Sequence, residues 1–176
     1  MLKTILVAAD GSDHADKAID WGIELAVKHD ARLLLLYVAP HRVAPPDLRR
    51  MAEVEHIVEP GGIEARSLGD PLYPSGALAR PDLDEAAVSS AAIYQRFGER
   101  LLDAARFRAE ERMVKAVEAL VEHGDPAQRI VHAAQHHGAD LIVMGRRGYG
   151  DLKGLLLGSV SHKVCQLAEC ACLTVK

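Results

Sequence analysis

Cysteine is scarce in this chain: Cys165, Cys170 and Cys172, all near the C-terminus, are the only three. Cys170-Ala-Cys172 is a C-x-C, but no second pair exists to complete a zinc site, so no metal centre is expected from it. An odd count reads as reduced thiols that serve packing. Aromatic residues are equally sparse at 4%, too few for the stacking platforms of single-strand nucleic-acid binders. An excess of basic charge is also missing. The formal net charge is −4, which argues against a general nucleic-acid partner. Long apolar runs are absent as well. The longest, Leu33 to Pro40, falls far short of the ~20 residues of a membrane span, so no membrane partner is expected. Met1-Leu-Lys-Thr-Ile5 enters a strand-like segment with no basic region or cleavage site, and the expected compartment is the cytoplasm.

What remains is ordinary globular material: 176 residues, 49% hydrophobic and 26% charged. That length suits one domain, and a chain of this size buries roughly 70% of its unfolded surface without staples. No internal repeat is evident. Ile5-Leu-Val-Ala-Ala9 is the short unbroken apolar run of a doubly covered parallel strand. It stops at Asp10-Gly-Ser-Asp13, where Ser12 caps a helix and Asp13 and Asp16 suit its positive end. Ala15, Ala18, Ile19, Gly22, Leu25 and Ala26 recur at helical spacing, which carries the helix to about His29 or Asp30. Leu33 to Val38 is a second buried strand, completing one β-α-β unit.

Seven of the eight prolines (Pro40, Pro45, Pro46, Pro60, Pro71, Pro74, Pro81) then crowd into one stretch. Proline removes amide donors and stops helices, leaving room for one helix at most, over Asp47–Glu55. Residues 40–83 read as an insertion in the second β-to-α connection: a lid, a dimer arm or a mobile linker. Because it leaves the ligand edge of the sheet, it is expected beside the site or across a dimer interface. From Asp84 to Glu110 the pattern is helical, with Ile93, Phe97, Leu101 and Ala105 near one face. Val114 to Val121 suits helix or strand, and the alternation of elements favours strand. Asp125-Pro126 opens a further helix that ends at Gly138, with aspartate as cap and proline in the first turn. Leu141–Met144 is the fourth strand, Ser159–Leu167 a helix, and Leu173–Lys176 the fifth strand. The fold class is therefore α/β: a single domain with a five-stranded parallel sheet and helices on both faces.

In such a sheet, ligands bind beyond the carboxyl ends of the strands, where strand order reverses. The connection after Met144 is the informative one. It holds Gly145, Gly148, Gly150, Gly154 and Gly158, flanked by Arg146, Arg147 and Lys153. Glycine admits positive φ and lets amides face a ligand. The helix start at Gly158-Ser-Val-Ser161 offers free N–H groups and a dipole to an anion. The loop is neither a P-loop nor G-x-G-x-x-G, and glycine content alone equally suits a plain turn.

Spacing adds weight to the ligand reading. Gly145-x2-Gly148-x9-Gly158-Ser159, after Asp-Leu-Ile-Val-Met144, resembles the nucleotide-binding signature of the universal stress protein A family. Ile-Leu-Val-Ala-Ala-Asp10-Gly-Ser, His123-Gly-Asp-Pro126 and Gly138-Ala-Asp140 agree with it. The resemblance covers residues 1–38 and roughly 84–176, leaving the proline-rich segment unmatched. It implies a Rossmann-like, adenine nucleotide alpha hydrolase-like fold, a homodimer, and an ATP-binding site. Carried over by position, Asp10 would bond the adenine or ribose side, and Val38 and Met144 would flank the base. Gly145, Arg147 and Gly148 would meet ribose and phosphates, while Gly158, Ser159, Val160 and Ser161 would cradle the phosphate tail. Mg²⁺ would be held mainly through the phosphates. One departure is Ala171, where the family commonly has proline before the last strand, through which its dimers often pair.

Simpler roles compete at several positions. Asp10 could merely cap the first helix. His132, His136 and His137 lie close together on one helix, yet without H-E-x-x-H or a carboxylate partner they read as a solvated face. His162 stands in the first turn after the loop, within reach of phosphate. Trp21 and Phe97 are expected in the core. No nucleophile–base pair is legible, and Gly158-Ser-Val-Ser161 lacks the G-x-S-x-G elbow, so no catalytic residue is assigned. The leading reading is a cytoplasmic ATP-binding regulator or sensor in stress response. The alternatives are a slow ATPase or nucleotidyl-transfer enzyme, and a nucleotide-free dimeric scaffold that binds a partner through residues 40–83.

Overall fold

The computed structural model describes residues 1–45, 50, 81–148 and 158–176. The helix expected over 47–55 falls outside the described residues apart from position 50, as do Gly150, Lys153 and Gly154. The strands are β1 (Thr4–Ala9), β2 (Arg32–Ala39), β3 (Val117–His123), β4 (Leu141–Gly145) and β5 (Ala171–Val175). The helices are α1 (Asp13–His29), α2 (Pro81–Glu111), α3 (Pro126–His136) and α4 (Ser159–Leu167). All neighbours pair in parallel, in the order β3-β2-β1-β4-β5. By contacts the chain divides into residues 1–40 with 98–176, which hold the whole sheet, and residues 41–97.

The three inner strands explain their own composition. Ile5, Leu6, Val7, Leu33, Leu34, Leu35, Leu36, Ile142 and Val143 are fully buried, because both faces of a parallel sheet are covered and apolar side chains pack on each. Leu6, Leu34, Leu36, Ile142 and Met144 form one face with Ala127, Ile130, Ala133 and Ala134 of α3 and Val164 of α4. α1 covers the opposite face, packing on β1 and β4 through Ala15, Ala18, Ile19, Gly22, Ile23 and Ala26. The C-terminal part of α2 lies beside α1, where Arg108 reaches Asp16 at 2.7 Å and Asp20 at 3.5 Å.

Caps fall where side-chain chemistry puts them. Ser12 accepts from the Ala15 amide, and Asp125 accepts from the Gln128 amide at 3.0 Å, each satisfying a first-turn donor. At the amino end of the sheet, Asp140 Oδ2 accepts from the backbone amides of Lys3 (2.6 Å) and Thr4 (3.0 Å). Those two bonds hold its carboxyl below the usual carboxylate range. No described helix is long and apolar enough to cross a membrane.

Four expectations need correction. The third strand begins at Val117, not Val114, and every one of its residues is only half-buried, as suits a sheet edge. The buried stripe of α2 runs through Ile93, Tyr94, Leu102, Ala105 and Ala109, with Leu101 and Phe97 half-buried. Two adjacent leucines left that phase ambiguous by one residue. Trp21 is 49% exposed: two residues from both Ile19 and Ile23, it stands about 200° round the helix from each, on the solvent side. Cys165 is exposed, whereas Cys170 and Cys172 are half-buried and pack against the α3/α4 face.

Candidate functional site

Strand order reverses between β1 and β4: the chain moves outward from β1 to β2 and β3, then returns to β4 on the other side. The crevice at their carboxyl ends is where a parallel α/β sheet presents backbone to a ligand. Asp10 follows β1, and the loop from Gly145 follows β4.

The Asp10-Gly11-Ser12 turn is tightly made. Asp10 Oδ1 accepts from the Ser12 amide at 2.9 Å and from Ser12 Oγ at 2.6 Å, an Asx-type turn. Ser12 Oγ also lies 3.4 Å from the Arg147 carbonyl, which joins the β1 edge to the β4 loop. The other carboxylate oxygen faces Gly148, where a Cβ would overlap Asp10 Oδ2. Gly145 is confined differently: a Cβ there would stand 2.9 Å from the Ala15 amide nitrogen and from the His14 carbonyl carbon. Neither glycine, nor Gly158, adopts a positive φ. Close approach, of the α1 backbone at 145 and of the Asp10 carboxylate at 148, rather than left-handed geometry, therefore favours glycine at both.

The base of the loop is pinched. The Arg146 amide donates to Val175 O at 2.7 Å, extending the β4–β5 pairing, and the Gly158 amide donates to Arg146 O at 2.9 Å. Ser161 Oγ lies 2.9 Å from the same carbonyl and 3.0 Å from Gly158 O, so its single proton is shared between two internal acceptors. The chain thus leaves at Arg146 and returns at Gly158 beside it. At that point α4 begins with Gly158 as its cap residue and, among the described residues, no side chain capping its amides. A helix start without a capping side chain keeps its N–H groups and positive dipole end for an anion. Among the described residues, the buried Arg146 Nε has no hydrogen-bond partner. Lys163 holds the next turn of α4 to Asp125 at 3.2 Å. The Gln128 amide, then Lys163, draw the Asp125 carboxyl below its ordinary value.

The other positions singled out from the sequence fall as follows. Val38 is half-buried near the end of β2, and Met144 is 3% exposed in the core face that Val38 packs against. Ser159 and Val160 are exposed on the first turn of α4 and Ser161 is buried. The His162 side chain is exposed on the same turn. His132 and His136 stack on an exposed part of α3, ring centroids 6.0 Å apart. Asp10, Arg147 and Gly148 are thus brought together, as are Gly158 and Ser161, with the Arg146 backbone joining the two groups. Two parts of this assembly escaped sequence reasoning: the link from Ser12 to Arg147, and the Arg146 carbonyl as a double acceptor. Asp-Gly-Ser was a signal for the first; a main-chain acceptor leaves none.

A model of the universal stress protein family matches residues 1–176. The chain belongs to the universal stress protein family. Its relatives within that family include universal stress protein YxiE of Bacillus subtilis, 33% identical over 176 residues and covering all of both chains. Among solved structures, universal stress protein UspA from Lactobacillus plantarum is similar at a TM-score of 0.68 and 23% identity, covering 99% of this chain and 98% of that one. A universal stress protein family protein from Arabidopsis thaliana, described with AMP bound, matches at a TM-score of 0.56 and 20% identity, covering 99% and 91%. A further universal stress protein, described in complex with cAMP, matches at 0.60 and 21%, covering 99% and 96%. These likenesses establish the fold, a Rossmann-like α/β sheet.

Proposed function

We propose that this universal stress protein binds an adenine nucleotide, ATP with Mg²⁺, in the crevice between the carboxyl ends of β1 and β4, and acts as a nucleotide-dependent regulator or sensor. The observation that carries the reading is the α4 start, with no capping side chain, pinned by Arg146 O on the loop that Ser12 joins to the Asp10 turn. A group with an anionic end and a hydrogen-bonding sugar or base fits that pairing: amides at one end, a carboxylate at the other. Asp10 would accept from the ribose or base, with Val38 and Met144 beneath the ring. Gly145, Arg147 and Gly148 would border ribose and phosphates. The amides of Gly158, Ser159, Val160 and Ser161 would face the phosphate tail, and Arg146 would add positive charge at the base of the loop. Mg²⁺ would arrive with the triphosphate, keeping its waters and few protein ligands. Family members described with AMP and cAMP support the choice of adenine.

The reading also takes residues 1–176 as one family domain carrying an insertion at 40–83, placed in the cytoplasm and working as a homodimer. β5 supports the dimer: among the described residues it pairs with β4 alone, leaving a strand edge that a second copy could extend. Calorimetric titration with ATP–Mg²⁺ and with AMP tests the site. Saturable heat and a raised melting temperature at or below millimolar nucleotide support it; absence of both ends it.

A further inference from the structure

The exposed side of α3 carries chemistry that the nucleotide reading leaves unused. His132 and His136 stand four residues apart there, which makes them neighbours on one side of the helix. Their rings stack with centroids 6.0 Å apart and planes within 6° of parallel. The helix beneath them is firmly held: Ala127, Ile130, Ala133 and Ala134 are buried, and Asp125 caps the first turn. We propose that His132 and His136 chelate one divalent transition-metal ion of borderline softness, zinc(II) or a late first-row neighbour, at the carboxyl end of α3.

Imidazole nitrogen suits Zn²⁺, Ni²⁺ and Cu²⁺ and is a poor ligand for Mg²⁺, which takes oxygen. A metal–nitrogen bond measures about 2.0–2.1 Å, so two rings at this separation bracket a single ion. In stacked rings the nitrogen lone pairs lie in parallel planes, and each ring must turn about χ2 to meet the ion. That torsion is soft, and both residues are exposed. Two further features favour a cation there. α3 ends at His136, and the carbonyl end of a helix attracts positive charge. Arg129, one turn before His132, has its charge offset by Glu122 at 3.7 Å. His137 is engaged elsewhere: its ring meets that of His136 edge-on at 5.0 Å, its Nδ1 lies 3.9 Å from Glu118 Oε2, and its carbonyl accepts from Arg32 at 2.8 Å. Among the described residues no group of three or more histidine, cysteine or acidic side chains could hold a metal. Zinc on this pair therefore has two protein ligands and completes its shell with water. The site is separate from the Mg²⁺ that would accompany a nucleotide.

The test titrates zinc chloride into the full chain, free of nucleotide and at mildly alkaline pH, because a metal-binding imidazole must be unprotonated. Histidine ring resonances are followed by NMR. The expected result is a saturable one-to-one shift of the His132 and His136 rings that a large excess of Mg²⁺ does not reverse. A chelate binds on the order of one-hundred-fold more tightly than one imidazole alone. Calorimetry should therefore show a loss of about that size in His132→Ala and in His136→Ala, exposed positions where folding is not at stake. His137→Ala and Cys165→Ser should keep the parent affinity. Binding that survives His132→Ala, that needs His137 or Cys165, that bridges two copies, or that Mg²⁺ displaces would each overturn the proposal, as would rings that stay unmoved under excess zinc.

Discussion

Replacing Gly148 by alanine adds a single methyl group where it presses on the Asp10 carboxylate. Oδ2 is the atom overlapped, while Oδ1 is fixed by the Ser12 amide at 2.9 Å and Ser12 Oγ at 2.6 Å. The carboxylate must rotate or retreat, and either movement withdraws it from a ligand in the crevice. A hydrogen bond to a charged group contributes about 1.5–3 kcal/mol net, so adenine-nucleotide affinity should fall about ten- to one-hundred-fold. The fold should survive, because among the described residues the added methyl meets none but Asp10 within 4 Å. Calorimetry on the single and double variants isolates the cause. In an Asp10→Ala background the carboxylate is gone and Gly148→Ala should cost little more, giving strong non-additivity in the double-mutant cycle. Strictly additive losses would show that Gly148 acts through something other than Asp10, and unaltered affinity would remove Asp10 from the site.

Gly145→Ala should behave in the opposite way. Its methyl meets the backbone of His14 and Ala15 at 2.9 Å, so urea unfolding should show a loss of about 1–3 kcal/mol from overpacking, with or without nucleotide. Asp125→Ala removes the α3 cap and should cost about 1 kcal/mol. Since the Asp125 carboxyl is held below its ordinary value, its contribution is present above the unfolded value near 3.8 and fades as pH drops through the lower, folded one. The gap between variant and parent in acid-unfolding curves should narrow accordingly. Trp21→Ser, on the solvent face of α1, should leave the unfolding free energy within about 0.5 kcal/mol of the parent; a large loss would place Trp21 in a buried interface.

Much of this architecture is written in local chemistry. β1, β2 and β4 read as strands because both faces are covered, which makes unbroken apolar runs. α1 and α3 announce themselves through Ser12, Asp125 and Pro126. β3 does not, because a half-buried edge strand needs no apolar run and Lys-Ala-Val-Glu-Ala-Leu120 is indifferent to state. The phase of α2 slipped where Leu101 and Leu102 compete, and Trp21 misled because residue type outweighed its angle around α1. At the site, Asp10 and the spaced glycines were legible. The reason for the glycines was not, since the demand is proximity, to the α1 backbone at 145 and to the Asp10 carboxylate at 148. Strand order and the pinch at Arg146 O depend on main-chain pairing, to which side chains give no clue.

Amide resonances of Ser159, Val160 and Ser161, followed in a ¹⁵N-labelled sample during titration with ATP–Mg²⁺, address most directly whether main-chain N–H groups at the start of α4 hold the anionic end. Saturable shifts at those three positions, far smaller with adenosine than with ATP, are the result this account requires. If they stay still while nucleotide binds elsewhere, or adenosine moves them equally, the account is wrong.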